Sequence, residues 1–130
     1  MTSHITASDN IFELRRMGRD PALIWATRPD TLYGLVKLMD RAERDIGRVS
    51  APTLYLYGAH DELIPKAAAF RAVSRLPAGA RTAYYADGWH ILLRDYEAER
   101  IWRDVESFID SPAAPLPSGS PPIPTTLAGR

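Results

Sequence analysis

Thr53-Leu54-Tyr55-Leu56-Tyr57-Gly58-Ala59-His60-Asp61-Glu62-Leu63-Ile64-Pro65 decides the fold. The first five residues are β-branched, aromatic or aliphatic, and Gly58 closes the run. Apart from the tyrosine hydroxyls no polar residue alternates with the apolar ones. A strand of this kind lies inside a parallel sheet covered on both faces. Pro65 or Lys66 then opens a helix, because proline is tolerated in a first helical turn. That helix reaches Leu76, with Phe70, Val73 and Leu76 on its inner side, and Pro77-Ala78-Gly79 ends it. Arg81-Thr82-Ala83-Tyr84-Tyr85-Ala86 reads as a second strand. Strand, helix, strand at this spacing is a βαβ unit, whose strands are expected to be parallel with a right-handed crossover.

Downstream, Asp87-Gly88 starts a loop, and a last helix is expected from about Asp95 to Ile109, with Ile101, Trp102, Val105, Phe108 and Ile109 facing inward. Upstream, Asp9-Asn10 offers a cap for a short helix through Ile11, Leu14 and Met17, broken by Gly18 and Pro21. Asp30 is read as the cap of a longer helix in which Leu32, Leu35, Val36 and Met39 form one apolar stripe. Gly34 inside it costs roughly 1 kcal/mol relative to alanine. Residues 1–9 are polar and small and are expected to be disordered. Residues 111–130 hold six of the eleven prolines. Too little apolar surface is available there to offset the ordering entropy, so a disordered tail is expected. Within it, Pro117 to Pro124 is where a proline-recognition ligand would be sought.

The bulk numbers exclude several functions. Lys plus Arg and Asp plus Glu both total 16, and the basic residues are scattered. That balance gives no pull toward nucleic acid or anionic lipid. With no cysteine, disulfides, thiolate catalysis and cysteine zinc sites are excluded. The start has no basic and apolar signal pattern, and no apolar run is long enough to span a bilayer. The expectation is a soluble, cytoplasmic chain without a cofactor or metal.

Two loops carry the chemistry. Gly58 to Pro65 follows the first strand and Asp87-Gly88-Trp89-His90 the second. Sites in parallel sheets form at the carboxyl ends of strands, so parallel pairing makes Asp61 and His90 spatial neighbours. A carboxylate beside an imidazole fixes the tautomer and stabilises the imidazolium when the other nitrogen takes a proton. Other readings stand beside this one: Asp61 as a loop or cap residue, His90 as a loop histidine packed on Trp89, and Asp87 or Asp95 as the partner of His90 instead. His60 reads as a loop residue. Arg15, Arg16 and Arg19 read as a solvated helix face. Trp25, Leu32 and Tyr33 read as packing between helices, with an acyl pocket as the alternative.

The sequence resembles the α/β-hydrolases. Gly58-x-x-Asp61-x-x-x-Pro65 follows their acid loop and Gly88-Trp89-His90 their histidine loop. In that fold the order is nucleophile, acid, histidine. Thr27 to Val36 resembles the cap region of bacterial lysophospholipase or monoacylglycerol-lipase-like members, in the serine-aminopeptidase branch. The resemblance implies an α/β chain forming the C-terminal part of the fold: cap helices over 10–48, a βαβα part of the core over 49–110, and the tail over 111–130. It implies Asp61 and His90 as the acid and histidine of a triad acting on a small lipid or other carboxylic ester. The family's G-x-S-x-G elbow is not found. None of Ser3, Ser8, Ser50, Ser74, Ser107, Ser111, Ser118 and Ser120 has glycine two residues away on both sides. The chain is therefore expected to be inactive on esters alone. Two other readings remain. One is a non-catalytic half-domain associating with a separate N-terminal half. The other is part of an epoxide hydrolase or dehalogenase, which keep the acid and histidine with an aspartate nucleophile.

Overall fold

The computed structural model describes residues 5–24 and 26–126. Four helices and two strands follow in the order α1 (Ile11–Met17), α2 (Pro29–Asp45), β1 (Leu54–Gly58), α3 (Lys66–Ser74), β2 (Arg81–Tyr85) and α4 (Ala98–Asp110). The strands pair in parallel, from Leu54 opposite Arg81 to Gly58 opposite Tyr85. This is the βαβ unit expected from the sequence, with a helix after the second strand.

Both faces of the sheet are covered, which is why β1 lacks a polar alternation. Tyr57 joins Ala69, Phe70 and Val73 of α3 in one apolar cluster, with Tyr55 and Tyr84 packed against it. Ala83 and Tyr85 join Ile101 of α4 in another, with Leu56 and Leu92 alongside. Successive side chains point to opposite faces, so each strand feeds both clusters. Tyr57 lies edge-on to Phe70 with ring centroids 6.3 Å apart and stacks on Tyr84 at 6.2 Å.

The edges differ. The Arg81 N–H donates to the Thr53 carbonyl and the Ala59 N–H to the Tyr85 carbonyl. Backbone groups alternate in direction along a parallel ladder. Thr82 and Tyr84 therefore turn theirs toward the outer side of β2, and Leu54 and Leu56 toward the far side of β1. The outer side of β2 is occupied: the Tyr84 N–H donates to the Pro121 carbonyl at 2.8 Å, and the Ile123 N–H to the Thr82 hydroxyl at 3.0 Å. Among the described residues no strand pairs with the far side of β1.

This arrangement corrects the expectation of a disordered tail for residues 111–126. Ile123 is 3% exposed within the α3 cluster, and Leu116 packs on the α4 cluster. The Arg81 guanidinium is bonded by the carbonyls of Pro112 and Ala114. A sum of apolar content underrates such a tail, because two inserted side chains and a few hydrogen bonds to a waiting strand edge suffice to order it. Residues 127–130 lie outside the described part. Disorder is also corrected for residues 5–9, where Ser8 is fully buried; residues 1–4 are not described.

Three helix readings change as well. The cap position of α2 is Arg28, with Pro29 opening the helix and Asp30 in its first turn, ion-paired to Arg28 at 2.8 Å. The stripe of Leu32, Leu35, Val36 and Met39 is exposed, and so is Tyr33. Packing between helices is thus not what Leu32 and Tyr33 do among the described residues, and Trp25 lies outside them. On α4 the inner face is Ala98, Ile101 and Asp104, while Trp102 and Ile109 face solvent. The face rotates because Asp104 is buried with full partners. Its Oδ2 accepts from the Tyr85 hydroxyl at 2.6 Å and its Oδ1 from the Ser118 N–H at 2.8 Å.

Candidate active site

Gly58 ends β1 and Gly88 follows β2 by three residues, and the two loops meet there. A Cβ on Gly58 would stand 2.5 Å from the carbonyl carbon and oxygen of Gly88 and from the Trp89 oxygen. A Cβ on Gly88 would stand 2.5 Å from Leu92 Cδ2 and 3.2 Å from Gly58 Cα. Only bare Cα atoms allow this approach. The His60 N–H donates to the Gly88 carbonyl at 2.9 Å, and the Ala59 bond to Tyr85 continues the ladder into the loops. The His60 ring lies over Trp89, centroids 5.1 Å apart at 24°.

The contact brings Asp61 and His90 together. Asp61 Oδ2 and His90 Nδ1 are 3.0 Å apart. The other carboxylate oxygen, Oδ1, accepts the Leu63 and Ile64 N–H groups, each at 2.8 Å. This is the local turn for which aspartate is favoured, so the loop reading and the pairing hold at once. The Tyr57 hydroxyl closes the loop from below, donating to the Ile64 carbonyl at 2.7 Å. The Asp61 side chain is 7% exposed and that of His90 35%. A carboxylate oxygen only accepts, so Nδ1 carries the ring proton and Nε2 keeps its lone pair. Nε2 has no partner among the described residues.

Burial and the Asp61 charge shape the tyrosines beneath. Burial pushes the Tyr57 hydroxyl up to about 12, with smaller contributions from Asp61, Tyr84 and Tyr55. Tyr55 is raised by burial first and Asp61 second. Both hydroxyls stay protonated at neutral pH, and that of Tyr57 serves as a donor to the Ile64 carbonyl.

The other candidates are placed elsewhere. Asp87 is exposed in the β2 loop. Asp95 is 4% exposed, and its carboxylate bonds Ser8 and the Trp89 N–H instead of the His90 ring. Of the arginines, Arg16 forks onto Glu13 on α1, where Arg94 also arrives at 2.9 Å. Ser74 donates to the Arg71 carbonyl and Ser118 pairs with Ser120. Among the described residues no serine hydroxyl bonds to the His90 ring, and no group of three metal-ligating side chains is assembled. Ser8 escaped the sequence reading because its partners are remote and it belongs to no motif; Asp95 read as the start of the last helix or as an alternative partner of His90, and its bond to Ser8 had no sequence signal.

A parallel βαβα unit that brings the Asp61 and His90 loops together at one sheet edge is consistent with an α/β-hydrolase family domain. Residues 2–97 match the family of serine aminopeptidase, S33, and the chain belongs to that family. No curated protein matches the chain. Among the described residues no helix is long and apolar enough to cross a membrane.

Proposed function

We propose that Asp61 and His90 are the acid and general base of a serine hydrolase that cleaves carboxylic esters of lysophospholipid or monoacylglycerol type, with the nucleophile supplied by a segment other than residues 5–126. The observation that carries this reading is the 3.0 Å contact between Asp61 Oδ2 and His90 Nδ1. It leaves Nε2 free to take a hydroxyl proton and return it to the leaving alcohol, while Asp61 holds the tautomer and balances the imidazolium. A buried, doubly hydrogen-bonded carboxylate suits that orienting role because it cannot rotate away. The substrate type rests on the likeness of Thr27 to Val36 to the caps of such lipases. The unpaired side of β1 supports the view that further strands of the same sheet come from elsewhere.

The test uses a fluorophosphonate probe and ester hydrolysis. The purified chain of 130 residues should take up no probe. Supplied with a family segment carrying the preceding strands and a G-x-S-x-G turn, it should hydrolyse long-chain monoacyl esters. His90→Ala should abolish that activity, and Asp61→Asn should lower kcat roughly 10⁴-fold. A probe adduct on a serine of the purified chain overturns the reading. So does hydrolysis in the complemented protein that survives His90→Ala.

A further inference from the structure

The loop bearing His90 is gripped from a distant part of the chain. The Ser8 hydroxyl, fully buried, donates to Asp95 Oδ1 at 2.6 Å. Asp95 Oδ2 accepts the Trp89 N–H at 2.8 Å, the amide immediately before His90. One residue upstream of Ser8, the Ala7 carbonyl accepts the Ile91 N–H at 3.0 Å, the amide immediately after it. One residue further, the Thr6 N–H donates to Glu62 Oε2 at 2.6 Å, beside Asp61. Three successive residues thus bind both sides of His90 and the acid loop.

The geometry points to Ser8 and Asp95 as positioning residues that hold His90 in register with Asp61 through the backbone. This rests on the functional reading of the Asp61–His90 pair. No cation pairs with the Asp95 carboxylate among the described residues. A buried carboxylate is tolerated only when donors satisfy it, so it sits where the Ser8 hydroxyl and Trp89 amide converge. Moving either donor costs the charge its solvation. The Gly88–Trp89 peptide plane is fixed by that requirement, and the His90 Cα follows. Among the described residues Asp61 is the ring's one hydrogen-bond partner, so without the clasp its loop is held mainly by the His60–Gly88 and Gly88–Tyr85 backbone bonds.

The test reads the imidazole nitrogens of the ¹⁵N-labelled full chain by NMR at a pH where the ring is neutral, together with amide exchange. In the wild type His90 should show a single Nδ1–H tautomer. Ser8→Ala and Asp95→Asn should convert it to a mixture weighted to the Nε2–H form that free imidazole favours. Trp89 amide exchange should rise about tenfold, while the Tyr85 amide inside the sheet stays protected. Ser8→Ala carries the test if Asp95→Asn does not fold, since it removes one hydroxyl. A His90 ring unchanged in these variants, with only the unfolding midpoint lowered, overturns the clasp. Asp61→Asn separates the two readings: it should convert the ring and leave Trp89 exchange as in the wild type. A ring unchanged in Asp61→Asn overturns the functional pair instead.

Discussion

Gly58 shows how much a single position decides here. Its missing side chain is what lets two loops touch, and the obstacle to any substituent is backbone at 2.5 Å. Gly58→Ala should destabilise by about 1–3 kcal/mol, read as a lower denaturant midpoint, and should speed exchange of the His60 amide. Gly88→Ala meets the far end of the Leu92 side chain, which can turn, and the Tyr85 Cβ and Gly58 Cα at 3.0 and 3.2 Å, so its cost should be smaller than that of Gly58→Ala but not absent. Tyr57 gives a pH effect with a definite sign. Its hydroxyl titrates at about 12 in the fold against 10.0 for an ordinary tyrosine. The unfolded chain therefore releases its proton first as pH rises. The stabilisation is whole below pH 10.0, declines from there and is gone above about 12. Tyr85, also raised by burial and by its bond to Asp104, adds to the same loss. Alkaline titration of phenolate absorbance should show these hydroxyls ionising together with unfolding, and Tyr57→Phe should lessen the alkaline loss. At this scale the sequence was informative about Asp61 and His90, because each follows a strand and the strands are parallel. It was silent about Ser8, whose partner lies 87 residues away.

Among the elements, the strands and the inner face of α3, with Phe70, Val73 and Leu76 in its cluster, were readable, while the faces of α2 and α4 were readable only in part. β1 and β2 are short apolar runs between strong breakers; β1 lies one residue further along than expected and β2 ends one residue earlier. On α4 Ile101 faces inward as expected, but Trp102 and Ile109 do not, because hydrophobicity alone orients a helix only when no buried polar group competes. Asp104 turns inward because Tyr85 and Ser118 satisfy it, and Trp102 turns outward with its indole N–H on the Leu93 carbonyl at 3.0 Å. Asp104→Ala should therefore cost on the order of 2–3 kcal/mol, more than Trp102→Ala. Denaturant unfolding of the two variants checks that order. The apolar stripe of α2 was read correctly as a stripe, yet it has no inner side among these residues. Only its end is tied down, by Glu43 reaching Arg75 at 3.2 Å and Arg71 at 3.7 Å. Exposed pairs of this kind contribute about 0–1 kcal/mol.

For the molecule as a whole, the tail and the sheet depend on each other. Ile123 completes the cluster around Phe70, and Pro121 accepts from Tyr84. Ile123→Asp should release the segment, accelerate exchange of the Tyr84 amide and leave the alternate amides of Ala83 and Tyr85 protected by β1. Loss of protection at all three together would instead mean that the sheet unfolds as a unit. Composition hid this docking, since it averages over twenty residues and the docking uses two side chains and a few carbonyls. Proline makes the docked segment one-sided: the Pro121 carbonyl accepts from Tyr84, while Pro121, Pro122 and Pro124 have no N–H to offer a further strand. Among the described residues this segment covers the β2 flank of the sheet, and no strand pairs with the β1 flank. A body with a single sticky flank can join one companion and then has nothing left to extend. Association through the backbone should thus stop at pairs instead of growing into filaments, so rising concentration should saturate the scattered light of a solution rather than drive it upward without limit.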